Sequence, residues 1–270
     1  MTNKLIPKTD KGNMPSVEIF WTGGFDSSFR IIQLSRINVR VQPYYITDYK
    51  YRHSIENELN AIKLITEDII NNPQTRFILD PLIIVDAESI KTNNEISEAQ
   101  EKLAEEIALG SQYKWLAGFA NIHPGIELTI EKNEEGHILK YFNKSGIRIK
   151  ETVGDISYLT VDKSKSTKEM VTIFGNFHFP HPICEMTKVE IVDEYKKMGY
   201  GETMMKTWFC HNPVKNQPCG VCTPCKQVIS KGLSFRITPS GLKRYETDRK
   251  NADKMWFKLW KKIRWRICKY

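Results

Sequence analysis

The chain has 270 residues, 40% hydrophobic and 27% charged, which leaves room for one sizeable core and an appendage and is ordinary for a soluble globular protein. No run of about 18 apolar residues is present, which excludes a membrane helix, and the polar, lysine-bearing start from Met1 to Ser16 lacks the apolar centre of a signal peptide. The net charge of +8 is not spread over the chain: nine Lys or Arg against two Asp between Asp248 and Tyr270 put +7 in the tail, so a basic face across the whole fold is not indicated.

A cytoplasmic protein is the expectation, and its cysteines are then thiols or metal ligands rather than disulfides. Residues 1–16 read as a flexible lead-in, punctuated by Gly12, Asn13 and Pro15. Val17-Glu18-Ile19-Phe20 is a short apolar strand, and Phe29 to Leu34 carries apolar residues at helical spacing. Between them stands Trp21-Thr22-Gly23-Gly24-Phe25-Asp26-Ser27-Ser28, a strand-to-helix turn. Two glycines let the backbone approach a ligand; hydroxyls and helix N-terminal amides favour an anion. It is not a Walker A loop, since the lysine of that motif is missing. Two readings stand here: a phosphate cradle, or an ordinary Gly-Gly turn with Asp26 as helix cap.

The next elements are a helix from Ser27 to Arg36 and a strand from Val39 to Thr47, together a right-handed βαβ unit with its ligand site beyond the strands' carboxyl ends. Arg52, His53 and Glu56 then cluster at the start of a helix carrying Leu59, Ile62, Ile65 and Ile69; a charged first helical turn explains them equally well. A buried-type strand is expected at Pro81 to Ala87 and helices at Glu95 to Leu109 and from Gly110 to Ala120. A β-hairpin insertion is expected at about 126–151, with a turn at Asn133 to Gly136. Thr167 to Phe174 reads as helix. From Thr187, a cap with Glu190 three residues on gives a capping box, and a helix continues to Gly199. Lys188 opposes the dipole of that helix, which favours a role toward a ligand.

Cys210, Cys219, Cys222 and Cys225 follow with C-x8-C-x2-C-x2-C spacing. Knuckles of this kind bring four thiolates onto one zinc; an iron–sulfur cluster is the rival, disulfides are a third reading, and His211 is an alternative ligand to Cys210. Cys184 and Cys268 stand apart as plain core or tail residues. In the tail, 247–270, Trp256, Leu259, Trp260, Ile263 and Ile267 fall on one face of a basic helix, read as docked on its own domain or on a dimer mate, with nucleic acid or an anionic membrane as other partners.

The loop resembles the S-G-G-x-D-S motif of the PP-loop ATP pyrophosphatase superfamily, with Thr22 for the first serine. Arg-His-x-x-Glu, Thr-Lys-x-Glu-Ile and Cys-Gly-x-Cys-x-x-Cys, in this order, resemble its 7-cyano-7-deazaguanine synthase branch. The resemblance covers most of residues 17–62 and 182–233. It implies a Rossmann-like α/β fold of the adenine nucleotide alpha hydrolase type: a parallel sheet with helices on both faces over 17–200, a cysteine region at 201–233 and a basic aromatic extension at 234–270. It implies an ATP-dependent C–N ligase that adenylates a carboxylate and converts it to an amide and then a nitrile with ammonia, using ATP, Mg2+ and a structural Zn2+. Thr22, Gly23, Gly24, Phe25, Asp26, Ser27, Ser28, Thr187 and Lys188 would bind the nucleotide, and Asp26, Ser27, Lys188, Arg52, His53 and Glu56 would line the reacting centre. Three departures mark a divergent paralogue: Ser111-Gln112 replaces an Arg-Asn pair, the segment reading the deazaguanine is missing, and Lys226 and Gln227 follow the last cysteine where an arginine is common. The acceptor is then another carboxylate, a protein or a nucleic acid, and a homodimer is expected. A tRNA-modifying thiolase or lysidine-type ligase and a non-catalytic nucleotide-sensing module are the alternatives.

Overall fold

A computed structural model of the chain describes residues 14–50, 52–130, 132, 142 and 148–251. The lead-in before residue 14, the turn expected at Asn133 to Gly136, the strand expected at Ile138 to Tyr141 and the tail from residue 252, with its aromatic stripe and Cys268, lie outside the described residues.

β1 (Ser16–Phe20), α1 (Phe25–Leu34) and β2 (Arg40–Thr47) form the first βαβ unit, with β1 and β2 parallel from Ser16 opposite Arg40 to Phe20 opposite Tyr44. α2 (Ile55–Ile70) leads to β3 (Ile78–Leu79) and β4 (Ile83–Asp86), both parallel to β2. α3 (Asn94–Ile107) and α4 (Gln112–Ile122) return the chain to β5 (Ile126–Glu127), on the other side of β1. β6 (Arg148–Val153) and β7 (Ile156–Val161) make a hairpin. α5 (Lys168–Phe174) then leads to β8 (Phe177–Pro180), which is parallel to β5 and antiparallel to β7. The eight strands run in the order β3-β2-β1-β5-β8-β7-β6, with β4 also on β2. α6 (Lys188–Lys197), α7 (Gly201–Met205), α8 (Thr223–Ser230) and α9 (Pro239–Asn251) complete the order.

The period-2 alternation of β1 explains why helices cover both faces. Val17, Ile19 and Trp21 join one buried cluster with Phe29, Ile32, Ile62, Ile65 and Ile191; Phe20 joins the other with Leu103, Leu116, Phe119 and Phe174. The expected mostly parallel α/β sheet is therefore present. None of the described helices is long and apolar enough to cross a membrane.

Two expectations are corrected. The segment expected as a hairpin insertion at 126–151 is divided: Ile126 and Glu127 belong to the parallel core, and the antiparallel hairpin runs from Arg148 to Val161. Apolar alternation is alike in a core strand and a hairpin strand, so the sequence did not separate them. The run at Leu82 to Val85 was expected to be buried, yet Ile83 and Ile84 are 41% and 51% exposed, because β4 is an edge strand bonded on one side only, to β2.

Candidate active site

The strand order reverses at β1: β2 lies on one side and β5 on the other. In open parallel sheets that switch point, beyond the carboxyl ends, is where a crevice forms. A cleft of about 180 Å3 is found there, lined by Thr22, Gly24, Phe25, Asp26 and Ser27 with Tyr44 and Ile46 of β2, Arg52, and Leu128 and Thr129 after β5. α4 closes it with Gln112, Trp115 and Leu116.

The turn is held from three directions. Gly23 has φ +66°, and a Cβ there would stand 2.7 Å from the Glu58 carbonyl oxygen, so α2 presses directly on the backbone. Trp208 donates its backbone N–H to the Gly23 carbonyl at 2.8 Å. The Trp21 indole N–H donates to the Ser28 hydroxyl at 3.0 Å inside the core. Gly24 is the cap residue of α1 and no side chain caps the helix, so its first-turn N–H groups face the cleft as an anion-attracting end. The expected alternative of Asp26 as cap is corrected: Asp26 lies inside the first turn.

α1 itself is anchored by a buried bidentate ion pair. Arg30 donates from Nε and Nη2 to Glu127 at 2.8 and 2.6 Å, with the side chains 6% and 2% exposed. Glu127 ends β5 just before the cleft-lining Leu128, so the pair fixes the loop's helix to the neighbouring strand. Arg30 in the apolar stretch Phe29-Arg30-Ile31-Ile32 was the signal for a buried acidic partner, since a charge is seldom fully buried unpaired.

From 162 residues away, Lys188 brings its Nζ to 3.6 Å from Asp26 and 5.3 Å from the centre of the Phe25 ring. α6 delivers it: Lys188 is the first residue of that helix, and Thr187 is the cap, accepting from the Glu190 N–H while Glu190 accepts from the Thr187 N–H at 2.7 Å. These bonds, the Thr187 amide first, hold the Glu190 carboxyl below the usual carboxylate range. Thr187 serves the helix rather than the cleft. Ser28 likewise serves Trp21.

The expected cluster of Arg52, His53 and Glu56 is divided. Arg52 lines the cleft and pairs with Glu58, Nη1 to Oε2 at 3.4 Å, not with Glu56. Glu58 is buried and also accepts from the Ser54 hydroxyl at 2.5 Å and the Tyr45 hydroxyl at 2.9 Å. Burial and the Glu58 charge push the Tyr45 phenol well above its usual value, so it stays a donor. Glu56, one turn before Asn60, faces a different cavity, and His53 is exposed in the turn before α2. Glu58 was missed because a buried helix glutamate has no marker in the sequence except its i, i+4 relation to Ser54.

In the cysteine region the four Sγ atoms lie within 4.8 Å of one another. Cys219 to Cys225 and Cys210 to Cys222 are both 3.9 Å apart, close to the edge of about 3.8 Å in a tetrahedron with metal–sulfur bonds of about 2.3 Å. Backbone N–H groups of Val221 and Cys222 donate to the Cys219 sulfur and that of Cys219 to Cys210, as anionic sulfur ligands require. The donor set fits a single metal ion. Arg244 donates from Nε to the Cys219 carbonyl at 2.8 Å, and a Cβ at Gly220 would meet the Gly241 carbonyl at 2.0 Å, so α9 packs flat on the knuckle. Cys184 is a core residue whose thiol is pushed up to about 11 by burial; it belongs to neither site.

Residues 155–233 match a family model described as queuosine biosynthesis protein QueC. That stretch, less than half of the chain, carries Lys188 and the four cysteines but not the Gly23-Gly24 turn. It supports the QueC-like assignment read from the motifs. No curated protein matches the chain significantly.

Proposed function

We propose that the chain is an ATP-dependent enzyme that activates a carboxylate by adenylation and aminates it to an amide or nitrile. The observation carrying this reading is the convergence of Lys188, from the QueC-matched part, on Asp26 of the Thr22–Ser28 turn. The carboxylate oxygen of the substrate attacks the α-phosphorus of ATP and the bond to the β-phosphate bridge breaks, releasing pyrophosphate. Ammonia then adds to the activated carbonyl, loses a proton, and AMP leaves as the amide forms. The amide oxygen then attacks the α-phosphorus of a second ATP, releasing pyrophosphate and a proton to leave an adenylated imidate, and loss of AMP and the remaining N–H proton gives the nitrile.

The chain's own groups supply the electrostatics. The first turn of α1 and the Ser27 hydroxyl hold the phosphates; Lys188 and Arg52 face charge that develops on the leaving pyrophosphate, where preorganised donors contribute most. Asp26 orients Lys188 and would be a ligand for the magnesium that accompanies ATP. Glu58, with Tyr45 and Ser54, positions Arg52. Cys210, Cys219, Cys222 and Cys225 would hold a structural zinc beside Trp208, whose backbone N–H bonds Gly23. The test is incubation with ATP, magnesium, ammonium and 7-carboxy-7-deazaguanine. Substrate-dependent pyrophosphate with a nitrile mass identifies the orthodox reaction; pyrophosphate release stimulated by other carboxylates, with the corresponding amide, identifies a paralogue; the absence of both rejects the proposal.

A further inference from the structure

Across Trp208 from the cleft lies a larger cavity of about 600 Å3, to which the residues given roles in the adenylation do not contribute. One wall is the outer side of α2, with Glu56, Asn57 and Asn60; the other is formed by Trp208, Phe209, Phe235 and Arg236. Its volume lies within the range of small-ligand sites.

Arg236 is the unusual member. Its Nη2 donates to the Thr207 carbonyl at 2.5 Å and to the Thr207 hydroxyl at 2.7 Å, and its guanidinium lies 4.9 Å from the centre of the Phe209 ring. Nε and Nη1 make no hydrogen bond, and no carboxylate lies within ion-pair distance, among the described residues. Burial lowers its pKa to about 10, which leaves it charged at neutral pH. The other cation of the cavity, Lys206, is already held by Asp68 at 2.6 and 2.7 Å. With Nη2 spent on Thr207 and no acidic partner among the described residues, the half-buried guanidinium has donors left for an anion with paired oxygens. Beside it Phe235 is 65% exposed, an open aromatic face of the kind on which bases stack. The amides of Asn57 and Asn60 and the Glu56 carboxylate supply donors and acceptors for a base edge or a ribose, a carboxylate suiting an exocyclic amine such as that of cytosine.

We propose that this cavity is a second ligand site that binds a nucleotide, its phosphate on Arg236 and its base against Phe235. The site stands whether or not the Thr22–Ser27 cleft cleaves ATP. A free mononucleotide and a nucleotide unit of single-stranded RNA share this chemistry.

The experiment is calorimetric titration of the full chain with cytidine 5′-monophosphate and, separately, with a cytidine-rich hexaribonucleotide, each with and without α,β-methylene-ATP to fill the cleft. Saturable binding that survives the ATP analogue is expected, weakened about tenfold or more by Arg236→Gln and several-fold by Phe235→Ala, with affinity for the analogue unchanged in both. Tighter binding of the hexamer assigns the site to RNA, and tighter binding of the monophosphate to a free nucleotide. Binding of neither probe, displacement by the analogue, or wild-type affinity in both variants overturns the proposal. Since Arg236→Gln also removes the bonds to Thr207, the exposed Phe235→Ala decides the matter if that variant unfolds. Failure of the analogue itself to bind would count against the ATP reading and leave the cytidine titrations interpretable.

Discussion

The Thr22–Ser28 turn and the cysteine knuckle are both built from a short spacing motif, but they are held in opposite ways. The turn is preformed by packing: Glu58 and Ala61 fill the slot beside Gly23, Trp208 and Trp21 fix it by hydrogen bonds, and Arg30–Glu127 pins its helix. Among the described residues the knuckle has a small core, with Val228 and Ile237 buried and Trp208, Phe209, Val221, Ile229, Leu233 and Leu242 partly buried against the cysteines, so holding four thiols together there would fall largely to a metal. A ligand would thus be received by the first region and required by the second.

Removing the metal proposed at the four cysteines is the strongest way to break this comparison. Structural zinc contributes about 10–16 kcal/mol of apparent binding energy to small domains. Chelation or Cys222→Ser is therefore expected to expose amides of 207–251 to hydrogen exchange while β1, β2 and β5 stay protected; undiminished protection of the knuckle would show that it needs no metal. In the preformed region the largest effect belongs to Glu127→Ala, which strands Arg30 and should cost about 3–5 kcal/mol in denaturant melts.

Lys188→Met separates charge from packing. Loss of one preorganised group facing the reacting phosphates lowers turnover about 100- to 1,000-fold, and the loss of stability should be smaller than for Glu127→Ala, because Lys188 and Asp26 keep 21% and 26% of their side-chain exposure where Arg30 and Glu127 keep 6% and 2%. Gly23→Ala tests the slot: a side chain at φ +66° against the Glu58 carbonyl should cost about 1–3 kcal/mol and weaken ATP binding with it. The smallest effect is expected at the cap of α6. Thr187→Ala should cost about 1 kcal/mol with near-normal turnover, since Thr187 serves the helix. Because the folded Glu190 carboxyl is lowered, its contribution to the cap is present above the ordinary glutamate range and lost as pH falls through the folded value; an NMR titration of Glu190 in wild type and Thr187→Ala measures it.

Much of this was legible because it is local. Gly23-Gly24 between a strand and a helix, the Thr187–Glu190 box and the cysteine spacing each depend on a few neighbouring residues, and each takes that form in the structure. What escaped depends on partners far apart in the chain. Arg52 takes Glu58 rather than Glu56 because Tyr45 and Ser54 gather that carboxylate into the core. Arg236 lines a cavity with α2, 180 residues before it. The edge position of β4, which exposes Ile83 and Ile84, follows from strand order alone, and an apolar run carries no record of that order.

The proposed adenylation requires the cleft at the Thr22–Ser28 turn to cleave ATP between the α and β phosphates. The most direct measurement is identification of the nucleotide and phosphate products formed from ATP and magnesium with a carboxylate substrate and ammonium, in wild type and Lys188→Met. AMP and pyrophosphate in equal amounts, strongly reduced in the variant, are the expected result. ADP with orthophosphate, or product formation indifferent to Lys188, would contradict it.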